Sequence, residues 1–138
     1  MFEHCIYFNT TSLARKLERE WTEAFRPFGL TPPQAFLLRM ILSRPGSLQG
    51  DLAREMNISK ATASRTLDGL VRLGFVRRAE SSQDGRGVEV YPTEAATVIC
   101  NDLNTASGSV TAKFKSLLGD ADFEATVGKL RHIRELLD

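Results

Sequence analysis

Between Thr11 and Phe28 the apolar residues Leu13, Leu17, Trp21 and Phe25 recur at every fourth position, with Arg15, Lys16, Glu18, Arg19 and Glu20 between them. That period is helical and predicts a first amphipathic helix, closed by Pro27 and Gly29. Thr31-Pro32-Pro33-Gln34 has the spacing of a capping box: Thr31 as N-cap, proline in the first turn, Gln34 three residues on. The second helix it opens carries Phe36, Leu37, Leu38, Met40, Ile41 and Leu42, apolar almost all round, as a central buried helix should be, and stops at Pro45-Gly46. Leu48, Leu52 and Met56, spaced by four, predict a short third helix with Ser47 as its cap and Asn57 as a left-handed terminator. After Ile58, Ser59 caps a fourth helix from Lys60 to Leu73, with Ala63, Leu67, Leu70 and Val71 facing inward and Gly74 as its stop.

Two short strand-like runs follow, Phe75 to Glu80 and Val88 to Pro92, on either side of a polar, glycine-containing loop, which predicts a hairpin with a long tip. Thr93 caps a long fifth helix in which Ile99, Leu103, Ala106, Val110, Phe114 and Leu117 alternate steps of four and three. Its middle holds weak helix formers, Asn101, Asn104, Thr105, Ser107, Gly108 and Ser109, so it either bends or needs a partner to hold it. Beyond Gly119-Asp120, the residues Phe123, Val127, Leu130, Ile133 and Leu137 mark a sixth helix. The predicted fold class is mainly α with a small β-hairpin. Its order of elements is that of a winged helix-turn-helix over residues 30–93, flanked by N- and C-terminal helices, 1–29 and 94–138, expected to serve dimerisation.

The overall composition adds little. The 138 residues carry 18 Lys and Arg against 17 Asp and Glu, a net charge of +1 that names no partner. No stretch approaches the roughly 20 apolar residues of a membrane span, and the N-terminus lacks the pattern of a secretory signal, so a cytoplasmic protein is expected. Cys5 and Cys100 have neither a metal nor a redox spacing, and His4 and His132 stand at opposite ends of the chain, so no metal site is expected. There is no Ser/His/Asp set, glycine-rich phosphate loop or catalytic carboxylate pair, which argues against an enzyme and against a cofactor.

Local charge says more. Between Ile58 and Ala79 five cations, Lys60, Arg65, Arg72, Arg77 and Arg78, face a single acid, Asp68, a net +4. The second helix of a helix-turn-helix enters the major groove of DNA, and its N-terminal turns read bases and phosphates. Here those turns carry Ser59, Lys60, Thr62, Ser64 and Arg65: short hydroxyl donors, a long cation that can pair bidentately with guanine, and free helix amides that attract phosphate. An arginine at the hairpin tip, Arg86, suits a narrow minor groove, and Asp84 can stiffen the tip by pairing with Arg77 or Arg78. The candidate DNA-binding residues are therefore Ser59, Lys60, Thr62, Ser64, Arg65, Arg78 and Arg86, with Asp84 as wing support and double-stranded DNA as the partner. The alternative is a winged helix that docks on protein without DNA affinity.

The run from Ser59 to Arg78, followed by Asp84-x-Arg86 and Thr93-Glu94, closely resembles the recognition helix and wing of MarR-family transcription regulators, and Gly29-Leu30-Thr31-Pro32 is also similar to that family. The resemblance implies a repressor that binds a pseudo-palindromic operator as a homodimer built from the first, fifth and sixth helices, and that a small-molecule or oxidant inducer releases. It also implies Thr62, Ser64 and Arg65 on bases or nearby phosphates, and Arg86 in the minor groove. Pro92 stands where the family usually has leucine, which suggests that the second wing strand ends early. Cys5 resembles the sensing cysteine of the OhrR-type, peroxide-responsive branch, although Pro32 and Ala35 stand in the neighbourhood where that branch has tyrosines. Two readings of Cys5 follow, a redox sensor or a small buried apolar side chain.

Overall fold

Thr31 and Gln34 close the start of their helix reciprocally. Thr31 Oγ1 accepts the Gln34 backbone N–H at 3.3 Å, and Gln34 Oε1 accepts the Thr31 N–H at 3.0 Å. The computed structural model describes residues 1–81 and 87–138, and this capped helix, α2 (Pro32–Ser43), lies at its centre. Before it come α1 (Ile6–Phe25), a 3-10 turn (Arg26–Phe28) and Gly29 at φ 69°. After it come β1 (Ser47–Leu48), α3 (Gln49–Met56), α4 (Lys60–Arg72), β2 (Val76–Glu80), β3 (Val88–Pro92), α5 (Glu94–Leu118) and α6 (Asp120–Leu136). The strands form one antiparallel sheet in the order β1-β3-β2. This is a winged helix-turn-helix with additional helices at both ends. Among the described residues no helix is long and apolar enough to cross a membrane.

Phe25, Leu37, Leu38, Ile41, Leu52, Leu67, Leu70, Val90 and Leu103 lose essentially all contact with water in a core that α2 threads. At about 1.5 to 3 kcal/mol for each large apolar side chain, that burial is the main force holding the helices together. The α4 helix approaches α2 very closely. A Cβ added at Gly69 would stand 2.6 Å from Gln34 Nε2, so the contact exists only because this position has no side chain.

Several expectations are corrected. The first helix begins at Ile6, not Thr11, because Cys5 Sγ caps it by accepting the Phe8 N–H at 3.5 Å. Ile6, Tyr7 and Phe8 all face solvent, so this opening turn has no buried stripe to announce it. Ser47 does not cap the third helix. It lies in β1 opposite Val90, and its hydroxyl donates to the Arg44 carbonyl. Val71 is exposed, and the inward face of α4 consists of Ala63, Leu67, Gly69 and Leu70.

Pro92 does not end the strand early. It pairs with Val76 in a rung flanked by the Thr93 N–H to Phe75 carbonyl bond, so the two residues owe each other no hydrogen bond. On its other side β1 pairs only with Glu89 and Val90, and no ladder bond is lost there.

The α5 helix runs unbroken through its weak middle. Its buried positions are Ala96, Leu103, Ser107 and Val110, so the stripe runs through Ser107 where the apolar period placed Ala106, and Leu117 is left exposed.

Gly69→Ala should raise the helix propensity of α4 by about 1 kcal/mol while pushing its methyl group into the Gln34 amide. We expect it to stabilise the protein by about that amount in a Gln34→Ala background and to be nearly neutral in the parent. A urea-unfolding double-mutant cycle measures the difference, and equal effects in both backgrounds would show that the contact carries no energy.

Candidate nucleic-acid interface

The turn between α3 and α4 is built by two residues with local chemistry. Asn57 adopts φ 56° and ψ 46°, a left-handed conformation that asparagine tolerates better than most residues, and it terminates α3. Ser59 Oγ then accepts the Thr62 N–H at 3.0 Å and caps α4. With α3 anchored in the core through Leu52 and Ala53, and α4 through Ala63, Leu67 and Leu70, the opposite side of α4 is left in water.

That side carries the polar residues singled out from sequence. Lys60 and Arg65 are exposed, and Thr62 and Ser64 are half-buried. Ser59, Thr62 and Arg65, three residues apart each time, line up along the helix. Ser59 Oγ donates to Thr62 Oγ1 at 2.9 Å, and Arg65 Nη2 donates to the same Thr62 oxygen at 3.2 Å. The result is a row of hydroxyls ending in a guanidinium, at a helix N-terminus whose amides favour anions. Such a row can donate to phosphate oxygens and to the acceptor edges of bases.

The two arginines of β2 are placed differently. Arg77 lies over the Tyr91 ring, 4.4 Å from its centroid. Tyr91 in turn donates to Glu89 at 2.7 Å, and this hydrogen bond to a carboxylate raises the phenol above its ordinary pKa. Arg78 points back into the protein. Its Nε donates to Gln49 Oε1 at 3.2 Å, Nη1 to Asp68 Oδ1 at 2.6 Å, and Nη2 to the Ser64 carbonyl at 3.0 Å. Asp84 and Arg86, assigned from sequence to the wing, lie outside the described residues.

A second polar cluster went unread in the sequence. Arg39 on α2 donates to Asn104 Oδ1 at 2.7 Å and to Ser107 Oγ at 2.9 Å on α5, and Trp21 Nε1 on α1 reaches the same Ser107 oxygen at 3.2 Å. Burial lowers the Arg39 guanidinium below its usual pKa, with the nearby Cys100 acting in the opposite direction. Beside the cluster is a cavity of about 620 Å³ whose lining includes Phe36, Arg39, Met40, Arg44, Cys100 and Asn104. The only sequence signal was the low helix propensity of Asn104 and Ser107, which a side chain needed as an acceptor explains. Cys5 is exposed in the single chain, where it caps α1 far along the sequence from α4.

Compared with known proteins, residues 28–87 match the model of the MarR family, from the end of the first helical region to the residue before β3. Two solved MarR structures share the fold over 98% of this chain, with TM-scores of 0.87 and 0.79 at 17% and 18% identity. Over residues 28–87, a little under half of its length, the chain is similar to the MarR family. Among curated relatives, the HTH-type transcriptional regulator YybA of Bacillus subtilis strain 168 is 29% identical over 82 residues, 59% of this chain and 55% of that protein. The HTH-type transcriptional repressor MdtR of the same strain is 22% identical over 118 residues, 85% of this chain and 76% of its own. The aligned stretch thus spans little more than half of YybA and about three quarters of MdtR. The S. aureus MepR–DNA complex shares the fold with a TM-score of 0.89 at 17% identity, covering 99% of this chain and 100% of that one.

Replacing Ser59 by alanine removes the α4 cap and the hydroxyl that orders Thr62. We expect a loss of about 1 kcal/mol in urea unfolding. Unchanged stability would mean that the first turn of α4 is held by other contacts.

Proposed function

We propose that this chain is a MarR-family, sequence-specific DNA-binding transcriptional regulator, a repressor that works in the cytoplasm as a homodimer on a pseudo-palindromic operator and is released by a small ligand or oxidant. One observation carries the reading: the exposed N-terminal turns of α4 present Lys60 and the Ser59–Thr62–Arg65 row outward from a core-anchored helix. In this reading Lys60 holds phosphate, Thr62, Ser64 and Arg65 meet bases or adjacent phosphates, and Arg86 enters the minor groove from the wing, with Asp84 supporting it. MdtR is a named repressor and MepR was solved bound to DNA, which is consistent with that assignment.

Residues 30–93 form the DNA-binding unit in this proposal, and 1–29 with 94–138 form the dimerisation region. Exposed apolar side chains support the division. Phe8 and Leu13 on α1, Leu118 on α5, and Val127, Leu130 and Ile133 on α6 have no core to cover them within one chain. A two-fold axis that joins like faces would bury them and set two copies of α4 at the roughly 34 Å spacing of successive major grooves. For release, the exposed thiol of Cys5 offers a contact for an oxidant, and the cavity beside Arg39 offers room for a small ligand.

Arg65→Ala should cost about 1 to 3 kcal/mol and relax preference at one base position, while Lys60→Ala should weaken all duplexes alike and lower the salt slope by about 1. Fluorescence anisotropy on duplexes enriched from a random pool checks both, and wild-type affinity in both variants would remove α4 as the reading helix. Absence of DNA retention at low salt would favour the protein-docking alternative. Sedimentation equilibrium should give twice the 15.3 kDa chain mass, shifting toward monomer in a Leu130→Asp, Ile133→Asp variant. A wild-type monomer would overturn the dimer.

A further inference from the structure

We propose that Arg78 is a positioning residue that sets where α4 stands against the wing and α3, rather than a group that touches DNA. This rests on the DNA reading above. All three guanidinium nitrogens of Arg78 are engaged inside the chain, and its side chain is only 28% exposed. The partners lie on different elements: Gln49 on α3, and Asp68 and the Ser64 carbonyl on α4, while Arg78 itself sits on β2 opposite Val90. One planar fork therefore ties the wing sheet to both helices of the motif.

Ser64 and Asp68 are four residues apart, on one face of α4, so the helix is gripped at two points a turn apart and resists rolling about its axis. One of those points is a backbone carbonyl, which fixes the helix itself and not merely a side chain. The next residue along is Arg65, so the grip also decides where the reading guanidinium emerges. On the other flank the missing side chain of Gly69 seats α4 against Gln34. The clamp has an electrostatic effect as well. It neutralises Asp68, the one acid of the stretch from Ile58 to Ala79, and leaves Lys60, Arg65, Arg72 and Arg77 outside any ion pair among the described residues.

The test uses the full-length protein and a duplex that it selects from a random-sequence pool, with anisotropy titrations over a range of salt. Asp68→Ala should weaken binding about tenfold even though it removes a negative charge from the DNA-facing stretch. The slope of log Kd against log salt should stay at the wild-type value, and binding to random-sequence duplex at low salt should persist. Arg78→Gln should behave in the same way, with Arg78→Lys restoring only part of the loss because an ammonium cannot form the fork. If Arg78 instead contacts phosphate, Arg78→Gln lowers the slope by about 0.9 and Asp68→Ala, which frees the arginine, binds more tightly. Either result overturns the proposal. Thermal unfolding accompanies each variant, and should Arg78→Gln fail to fold, Asp68→Ala and Gln49→Ala carry the test through exposed or half-buried positions. A pool that yields no enriched duplex, with no retention at low salt, overturns the DNA reading itself. Wild-type binding with Asp68→Ala unaffected overturns only the role of Arg78.

Discussion

Ala63, Leu67 and Leu70 lie on one face of α4 and lose all exposure to water against the core that α2 threads. Each leucine gains about 1.5 to 3 kcal/mol from that burial, and none of it survives if the helix rolls by a quarter turn. The orientation of every other side chain on α4 follows. Lys60 and Arg65 point outward because the apolar face is inside, and the hydroxyls of Ser59 and Thr62 follow the same line along the first turn. A charged surface is held in place by an uncharged one.

The wing and the terminal helices share this core through Val90, Phe25 and Leu103, and polar networks are added to both attachments. The wing is also joined through polar forks and stacks, with Arg78 reaching Gln49, Asp68 and Ser64, and Arg77 lying over Tyr91. Between α1, α2 and α5 a polar bracket is added to the apolar contacts: Ser107 accepts from both Trp21 and Arg39 while Asn104 takes the remaining arm of Arg39. Such networks are directional, and a missing member leaves the others desolvated without partners, so each is sensitive to any single loss. The bracket also accounts for serine and asparagine in the interior of α5, where they are poor helix formers but necessary acceptors.

Caps and turns were legible from sequence because each is an interaction over three or four residues. Thr31 with Gln34, Ser59 with Thr62, Thr93 with Ala96 and the left-handed Asn57 all stand where their spacing put them. Errors arose wherever a residue's surroundings come from elsewhere in the chain. Ser47 has the chemistry of a cap, but β3 captures it as a strand. Val71 fits the apolar period of α4, yet nothing packs over it. The buried stripe of α5 runs through Ser107 because Trp21 and Arg39, 86 and 68 residues away along the chain, are brought to it.

The same division runs through the candidate interface. By itself the sequence determined that a basic, serine- and threonine-rich helix follows a tight turn, since caps, apolar period and charge are properties of neighbouring residues. Only the tertiary structure decided which of its cations stay available and which are bound into the framework. Lys60 and Arg78 look alike in composition, but Arg78 lies 29 residues from Gln49 and 10 from Asp68, and folding is what closes those distances. A side chain's partners are set by what the core brings within about 3 Å of it, and a linear pattern carries no such distance.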